Sequence, residues 1–270
     1  MHAFDYRRPA TLEEALALLA SEPDAQPLAG GMTLIPTLKQ RLASPAMLVD
    51  LAGIASLQRI EETDGAIVLG AMARHADVAA SDLVRRRIPA LAGLADGIGD
   101  PHVRNQGTCG GSIANSDPSA DYPSAVVGLN ATLVTDRREI RADDFFLDLF
   151  ETALAPGEIL TAIRFPVPDV AAYVKIPNPA SRYATVGVFV ARFGETVRVA
   201  VTGAASSVFR LIVTEAALER RFDIESAGEA EVALDALNVD GHAAADYRAH
   251  LIGVAARRAV ALCLAEMPRA

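Results

Sequence analysis

The chain has 270 residues, 51% of them hydrophobic and 22% charged, with a formal net charge of −9. That length allows two packed units with a real core, the composition carries no signature of disorder, and the scattered basic residues exclude nucleic-acid binding through a basic field. Its two cysteines, Cys109 and Cys263, lie too far apart and are too few for a disulfide framework, a zinc site or an iron–sulfur cluster held by this chain alone.

The N-terminal stretch "MHAFDYRRPATLEEALALL" has no apolar core after a basic run, so it does not read as a secretory signal, and nothing downstream reaches membrane-spanning length. A cytoplasmic protein is expected. Phe4 to Arg7 reads as a short strand. Thr11 and Glu14 have capping-box spacing and open a helix carrying Ala15, Leu16, Leu18 and Leu19, which Pro23 ends. A strand over Gln26 to Ala29, a helix over Thr33 to Leu42 with Pro36 in its first turn, and a strand over Met47 to Leu51 complete a small βαβ-type unit.

From Ile60 the pattern changes. Asp64-Gly65 in "IEETDGAIVLGAM" marks a hairpin, and His75 to about Ile98 reads as mostly helical. "ATLVTD" and "EILTAIRFPVP" read as strands, with Pro166 and Pro168 punctuating a boundary. Beyond it, "YATVGVFVARF" and "TVRVAVTGAA" are expected strands, and "VFRLIVTEAALERRF" and Tyr247 to Glu266 expected helices, the last with Leu251, Val254, Ala255, Val260 and Leu262 as an apolar, core-facing pattern.

Two glycine doublets stand out. "LAGGMTL" places Gly30-Gly31 after a strand and Thr33 before a helix; "GTCGGSIAN" repeats the form with Gly107, Thr108, Gly110, Gly111 and Ser112. Glycine permits positive φ and close backbone approach, so each doublet can turn several N–H groups toward one anion, and two such nests would match a diphosphate. Either doublet alone reads first as a turn, and it is the two together that bring phosphate binding level with that reading. Neither fits G-x-G-x-x-G after a strand or a P-loop.

Other polar residues have plainer readings. Asp117 and Asp121 stand four apart and suggest a metal or acid–base pair, but Pro118 and Ser119 between them fit a turn followed by a helix cap. The histidines His2, His75, His102, His242 and His250 have no ligand spacing and read as surface or packing residues. His102 and Arg104, just before the second doublet, can approach a ligand, and Arg104 can equally brace the loop through carbonyls. Arg85 to Arg87 fit a solvated helix face, with subunit docking as the alternative. Cys109 fits a small buried hydrophobe rather than a redox group. No catalytic residue is nominated.

Taken in order, "LAGGMTLIPTLKQRLASPAMLVDL", "VRNQGTCGGSIANSDPSADYPSAVVGLNATL" and "PGEILTAIRFP" resemble the FAD-binding medium subunit of the molybdenum hydroxylases, the family of carbon monoxide dehydrogenase and xanthine dehydrogenase. "YVKIPNPASRYATVGVFVA" and "VTGAASSVFRLIVTEAAL" are similar to that family's C-terminal domain. The resemblance implies an α+β fold with an α/β N-terminal part: a PCMH-type FAD-binding domain, 1–167, of two α/β subdomains (about 1–54 and 55–167), then a C-terminal domain of antiparallel sheet plus helices, 168–270.

It also implies roles. Ala29, Gly30, Gly31, Met32, Thr33 and Leu34 would form the first diphosphate loop, and Gly107, Thr108, Gly110, Gly111 and Ser112 the second. Asp121 would contact FAD, Ile159 or Leu160 would lie beside the flavin, and Lys175 would stand at its polar edge, where an ammonium favours negative charge on the ring. Thr33 replaces a common Ser and keeps the hydroxyl; Ser112 replaces a common Asn with shorter reach; Cys109 replaces a common Ile. Expected partners are a large subunit with a molybdopterin dinucleotide–molybdenum cofactor, where substrate is oxidised, and a small subunit with two 2Fe–2S clusters, in a dimer of heterotrimers. This chain would pass electrons from the clusters through FAD to an external acceptor. A stand-alone flavin oxidase or reductase of the same fold and a non-redox assembly subunit are the alternatives.

Overall fold

Residues 1–228 and 232–267 are described in a computed structural model of the chain. Short apolar runs between turn residues produce β1 (Asp5–Arg7), α1 (Leu12–Ser21), β2 (Ala25–Leu28), α2 (Leu34–Lys39) and β3 (Met47–Asp50). Thr11 caps α1 by accepting from the Glu14 N–H at 3.2 Å, while Glu14 reaches back to the Ala10 N–H at 2.9 Å. The three strands pair parallel in the order β1-β3-β2. Ala15 and Leu19 of α1 pack with Val49, Ile54 and Leu57 in a small core that Met72 and Ile159 join from the next unit.

A second sheet follows from β4 (Ile60–Thr63) and β5 (Ala66–Gly70), whose turn residues Asp64 and Gly65 have φ of 52° and 75°, the conformation a two-residue hairpin needs. Six helices come next: α3 (His75–Ala80), α4 (Asp82–Arg87), α5 (Pro89–Asp96), α6 (Pro101–Gln106), α7 (Cys109–Asn115) and α8 (Tyr122–Gly128). Then β6 (Thr132–Thr135), β7 (Glu139–Arg141), a hairpin of β8 (Phe146–Asp148) and β9 (Glu151–Thr152), and β10 (Leu160–Pro166) complete the unit. The five-stranded order β4-β5-β10-β6-β7 buries Ile67, Leu69, Leu133, Ile163 and Phe165 against Leu91, Leu94 and Val126 of the helices.

The third sheet is antiparallel, in the order β11-β12-β13-β14, from β11 (Val170–Pro177), β12 (Ala184–Phe193), β13 (Thr196–Thr202) and β14 (Phe209–Arg210). Helices α9 (Ile212–Arg220) and α10 (Ala245–Glu266) follow. Alternation along β12 explains how this sheet is held: Val186, Val188 and Val190 join the core that contains Ile252, Ala256 and Val260 of α10, whereas Phe189 and Ala191 enter the core of the five-stranded sheet. Burial on both faces erases the polar alternation of β11, which the sequence reading did not assign as a strand. The helix expected over 208–222 is corrected: Phe209 and Arg210 pair with Val201 and Ala200, and only Ile212–Arg220 is helical. A free sheet edge outcompeted local helix propensity there.

One polar clamp ties the C-terminal sheet to the segment between α7 and α8. The wholly buried Thr202 hydroxyl faces the carbonyls of Ala120 at 2.6 Å and Pro118 at 3.0 Å, and the Gly203 N–H donates to Pro118 O at 2.7 Å. The Ala184 N–H donates to Ser119 O, and Arg248, from α10, donates to the carbonyls of Thr185 and Gly203. Thr202→Val keeps the shape and strands the Ala120 carbonyl, so it is expected to lower unfolding free energy by about 1–3 kcal/mol. Urea denaturation measures this; an unchanged midpoint would show the clamp to be dispensable.

Candidate cofactor site

The chain leaves β2 at Leu28 and turns through Gly30-Gly31 into α2. Gly31 has φ +70°, a conformation costly for residues with a Cβ. Gly30 is held for a different reason: a Cβ there would lie 2.2 Å from Gln106 O and 2.7 Å from Gly107 Cα. The first doublet is therefore pressed onto the backbone at the end of α6. On the other side of the seam a Gly111 Cβ would meet the Ala29 Cβ at 3.1 Å, and a Gly110 Cβ would meet Ala71 at 2.4 Å.

The hydrogen bonds distinguish the two loops, which the sequence pattern made look equivalent. The N–H groups of Gly30, Gly31, Met32, Thr33 and Leu34 have no acceptor among the described residues; the α2 ladder begins with Ile35 N–H donating to Gly31 O. In the second loop, Gly107, Cys109 and Gly110 donate to the carbonyls of Val103, Ala73 and Ala71, while Gly111 donates to Thr108 Oγ1 and Ser112 to Thr108 O. The first loop thus offers a run of open donors, and the second is a braced wall behind it.

Both loops line one cleft of about 730 Å³. It gathers Ala29 through Leu34, Gly107, Thr108, Gly110, Gly111, Ser112, Asp121, Ile159, Leu160 and Lys175, residues drawn from all three sheet units. Asp121 stands just before α8, at its N-cap, but its carboxylate does not cap that helix. Instead Oδ1 accepts from Tyr173 OH at 2.5 Å and Oδ2 from Lys175 Nζ at 2.9 Å, and the same ammonium donates to Gly97 O at 3.1 Å. Burial pushes the Asp121 carboxyl up, opposed by Lys175 and Tyr173. Asp117 closes a turn by accepting from Ser119 N–H, and burial raises it as well. Among the described residues no group of three His, Cys, Asp or Glu is placed to hold a metal ion.

Among the other residues that line the cleft, His75, Glu158, Arg182 and Tyr183 carry polar chemistry that the sequence did not place in a site. His75 is buried at the start of α3, with Nδ1 lacking a partner and Nε2 against Gly107; burial lowers its pKa to about 4, so the ring is neutral. Arg182 and Tyr183, both exposed, join the lining from the β11–β12 loop. Glu158 sits behind Ile159, its carboxylate accepting from Arg138, Thr135 Oγ1 and the Ala155 N–H; these bonds, Arg138 first, hold it at about 2. His75 lies in no motif, whereas Glu158, Arg182 and Tyr183 fall inside stretches that carry the family resemblance without being singled out there. Arg104 braces the 98–99 turn, donating to Ile98 O at 3.1 Å, and Cys109 is wholly buried with its thiol pushed up to about 12 by burial, as a packing residue should be.

Comparison with known proteins gives a consistent result. Residues 2–168 match the family model described as the FAD binding domain in molybdopterin dehydrogenase. The chain is similar to the carbon monoxide dehydrogenase medium chain of Afipia carboxidovorans, at 37% identity over 96% of each chain, and to the nicotine 6-hydroxylase medium subunit of Paenarthrobacter nicotinovorans, at 33% over 96% of each. Its structure is similar to that of the carbon monoxide dehydrogenase of Hydrogenophaga pseudoflava that lacks the Mo-pyranopterin moiety of its molybdenum cofactor, with a TM-score of 0.91, 35% identity and 99% of each chain covered.

The Glu158 shift fixes a pH dependence. A carboxyl at about 2 in the fold against its ordinary 4.5 contributes stability that is fully present above 4.5 and lost as pH falls toward 2. Glu158→Gln is expected to cost about 1–3 kcal/mol at neutral pH, allowing for the half-exposed Arg138, and to flatten the stability curve between those pH values. Denaturant unfolding across that range checks it; parallel curves for both proteins would refute the assignment.

Proposed function

The chain belongs to the family of FAD-binding domains in molybdopterin dehydrogenase, as a medium subunit of the molybdenum hydroxylases, and from that premise we propose that it holds FAD in this cleft and relays electrons between partner subunits and an external acceptor. The observation that carries the reading is the run of open amides from Gly30 to Leu34, closed from behind by the second glycine loop.

A diphosphate is the group such a nest suits. The chain carries −9 overall, and the lining of the cleft includes Asp100, Asp117, Asp121 and Glu158, so a bulk positive field is absent and neutral dipoles must do the holding. In this reading the amides of Gly30, Gly31, Met32, Thr33 and Leu34 bind phosphate oxygens, and Thr108 and Ser112 add their hydroxyls from the opposite wall, with Gly107, Gly110 and Gly111 setting how close that wall comes. Ile159 and Leu160 supply the apolar surface for an aromatic ring, and the Asp121–Lys175 pair its polar edge. Because Lys175 is already shared between Asp121 and Gly97 O, it offers a partial positive field at a fixed position.

When bound, FAD supplies the conversion between stepwise electron delivery and two-electron transfer. The chain's residues place it, exclude water from one face and hold the local charge balance. The expected partners are a large molybdopterin–molybdenum subunit that oxidises the substrate and a small subunit with two 2Fe–2S clusters, in a dimer of heterotrimers located in the cytoplasm. The division into 1–167 for FAD and 168–270 for the C-terminal domain belongs to the same proposal. Among the described residues, no helix is long and apolar enough to cross a membrane.

Titration of the purified chain with FAD and FMN tests the reading. Saturable FAD binding with a perturbed flavin band is expected, with FMN at least about tenfold weaker because it lacks the diphosphate bridge. Gly30→Ala, whose methyl would sit 2.2 Å from Gln106 O, is expected to weaken FAD by at least about tenfold while the chain stays folded. Equal affinities for FAD and FMN, or wild-type binding by the variant, would overturn it.

A further inference from the structure

The β11–β12 connection, 178–183, is a built loop. Asn178 Oδ1 accepts from the N–H groups of Ala180 and Ser181, at 2.9 and 3.2 Å, Arg182 N–H donates to Asn178 O at 2.9 Å, and Asn178 N–H donates to Tyr183 O at 2.8 Å. Those bonds hold Arg182 at φ +62°, a left-handed conformation that is uncommon outside glycine and asparagine. The result is a backbone held in place from which an exposed arginine side chain joins the lining of the cleft.

The charges around it are otherwise accounted for. Of the charged residues lining the cleft, Lys175 is paired with Asp121, and Glu158 with Arg138 from outside it. Asp100 caps α6 through the His102 and Val103 N–H groups, and Asp117 closes its turn on Ser119. Arg182 is the one cation of the lining whose side chain makes no hydrogen bond or ion pair among the described residues; Asp100 is the acid that feels its field. Asp100 stands at the opposite end of α6 from Gly107, and a six-residue helix spans about 9 Å, so Arg182 is placed near the rim, away from the second glycine loop.

Resting on the proposed FAD reading, we infer that Arg182 is the residue through which the cleft recognises an anionic electron acceptor. An acidic protein repels anions at long range and steers cations without help. A single unpaired cation carried on a braced loop at the cleft reverses that preference locally. The acceptor's negative group would lie against the guanidinium while its reducible part reaches the flavin; with ferricyanide as the acceptor, two ions each take one electron from the reduced flavin anion, and its proton goes to water.

The FAD-loaded chain, reduced photochemically, is mixed with ferricyanide, a neutral benzoquinone or hexaammineruthenium(III), for the wild type and for Arg182→Gln, Arg182→Glu and Arg182→Lys. A second readout needs no turnover: calorimetric binding of ferrocyanide to the oxidised FAD-loaded chain. Arg182→Gln is expected to slow ferricyanide about three- to tenfold and weaken ferrocyanide similarly, with Arg182→Glu slower still, Arg182→Lys near wild type, the quinone unchanged and FAD affinity unchanged. Equal effects on all three acceptors, or none on ferricyanide and ferrocyanide, would overturn the role of Arg182 while leaving the FAD reading intact. A folded chain that binds no FAD would overturn both.

Discussion

The contact on which the site depends is backbone against backbone: Gly30 lies where any side-chain carbon would meet Gln106 O at 2.2 Å, and Ala29 faces Gly111 across the same seam. Two loops more than seventy residues apart in the chain are thereby locked together with a defined offset. One keeps five consecutive N–H groups open; the other has committed most of its own to Val103, Ala73, Ala71 and Thr108. Preorganised donors lose little entropy on binding an anion, and the rigidity of the second loop is what holds the first in that state.

Around the seam, each sheet contributes one wall. The parallel sheet delivers the first glycine loop from the end of β2, the five-stranded sheet brings Ile159 and Leu160 at the start of β10, and the C-terminal sheet brings Lys175 on β11 and Arg182 and Tyr183 beyond it. The Thr202, Gly203 and Ala184 bonds to residues 118–120 fix the position of Asp121 relative to that last sheet. The C-terminal unit therefore contributes to the cleft's electrostatics as well as to its packing: the buried Asp121 carboxylate is compensated by a lysine and a tyrosine that both come from β11. Matching a buried charge in this way avoids the large cost of leaving it alone in a low-dielectric site.

Much of this was legible in the sequence, for reasons that differ by residue. The glycine doublets, the capping box at Thr11 and Glu14 and the Asp64-Gly65 hairpin are local signals, and local backbone chemistry decided them. The meeting of the doublets in one cleft with Asp121, Ile159, Leu160 and Lys175 was accessible through resemblance to a family, since nothing in spacing alone brings residue 30 next to residue 107. The inequality of the two loops was not legible, because which amides stay open depends on carbonyls of Ala71 and Ala73 supplied by another segment. His75 and Arg182 were missed for the same reason: a histidine opening a short helix and an arginine in a polar loop look ordinary until the fold places them beside the cleft. The short strand at Phe209–Arg210 and the doubly buried β11 show tertiary pairing overriding local pattern.

The central claim, that the open amides of the first loop are the diphosphate seat, is tested most directly by amide hydrogen exchange on the chain with and without saturating FAD. Without FAD, the N–H groups of Gly30 to Leu34 have only solvent as acceptor and should exchange fast; with FAD they should slow by at least about tenfold, while the already bonded amides of Cys109 and Gly110 change little. Unchanged fast exchange at Gly30 to Leu34 with FAD demonstrably bound would contradict the claim and place the diphosphate elsewhere in the cleft.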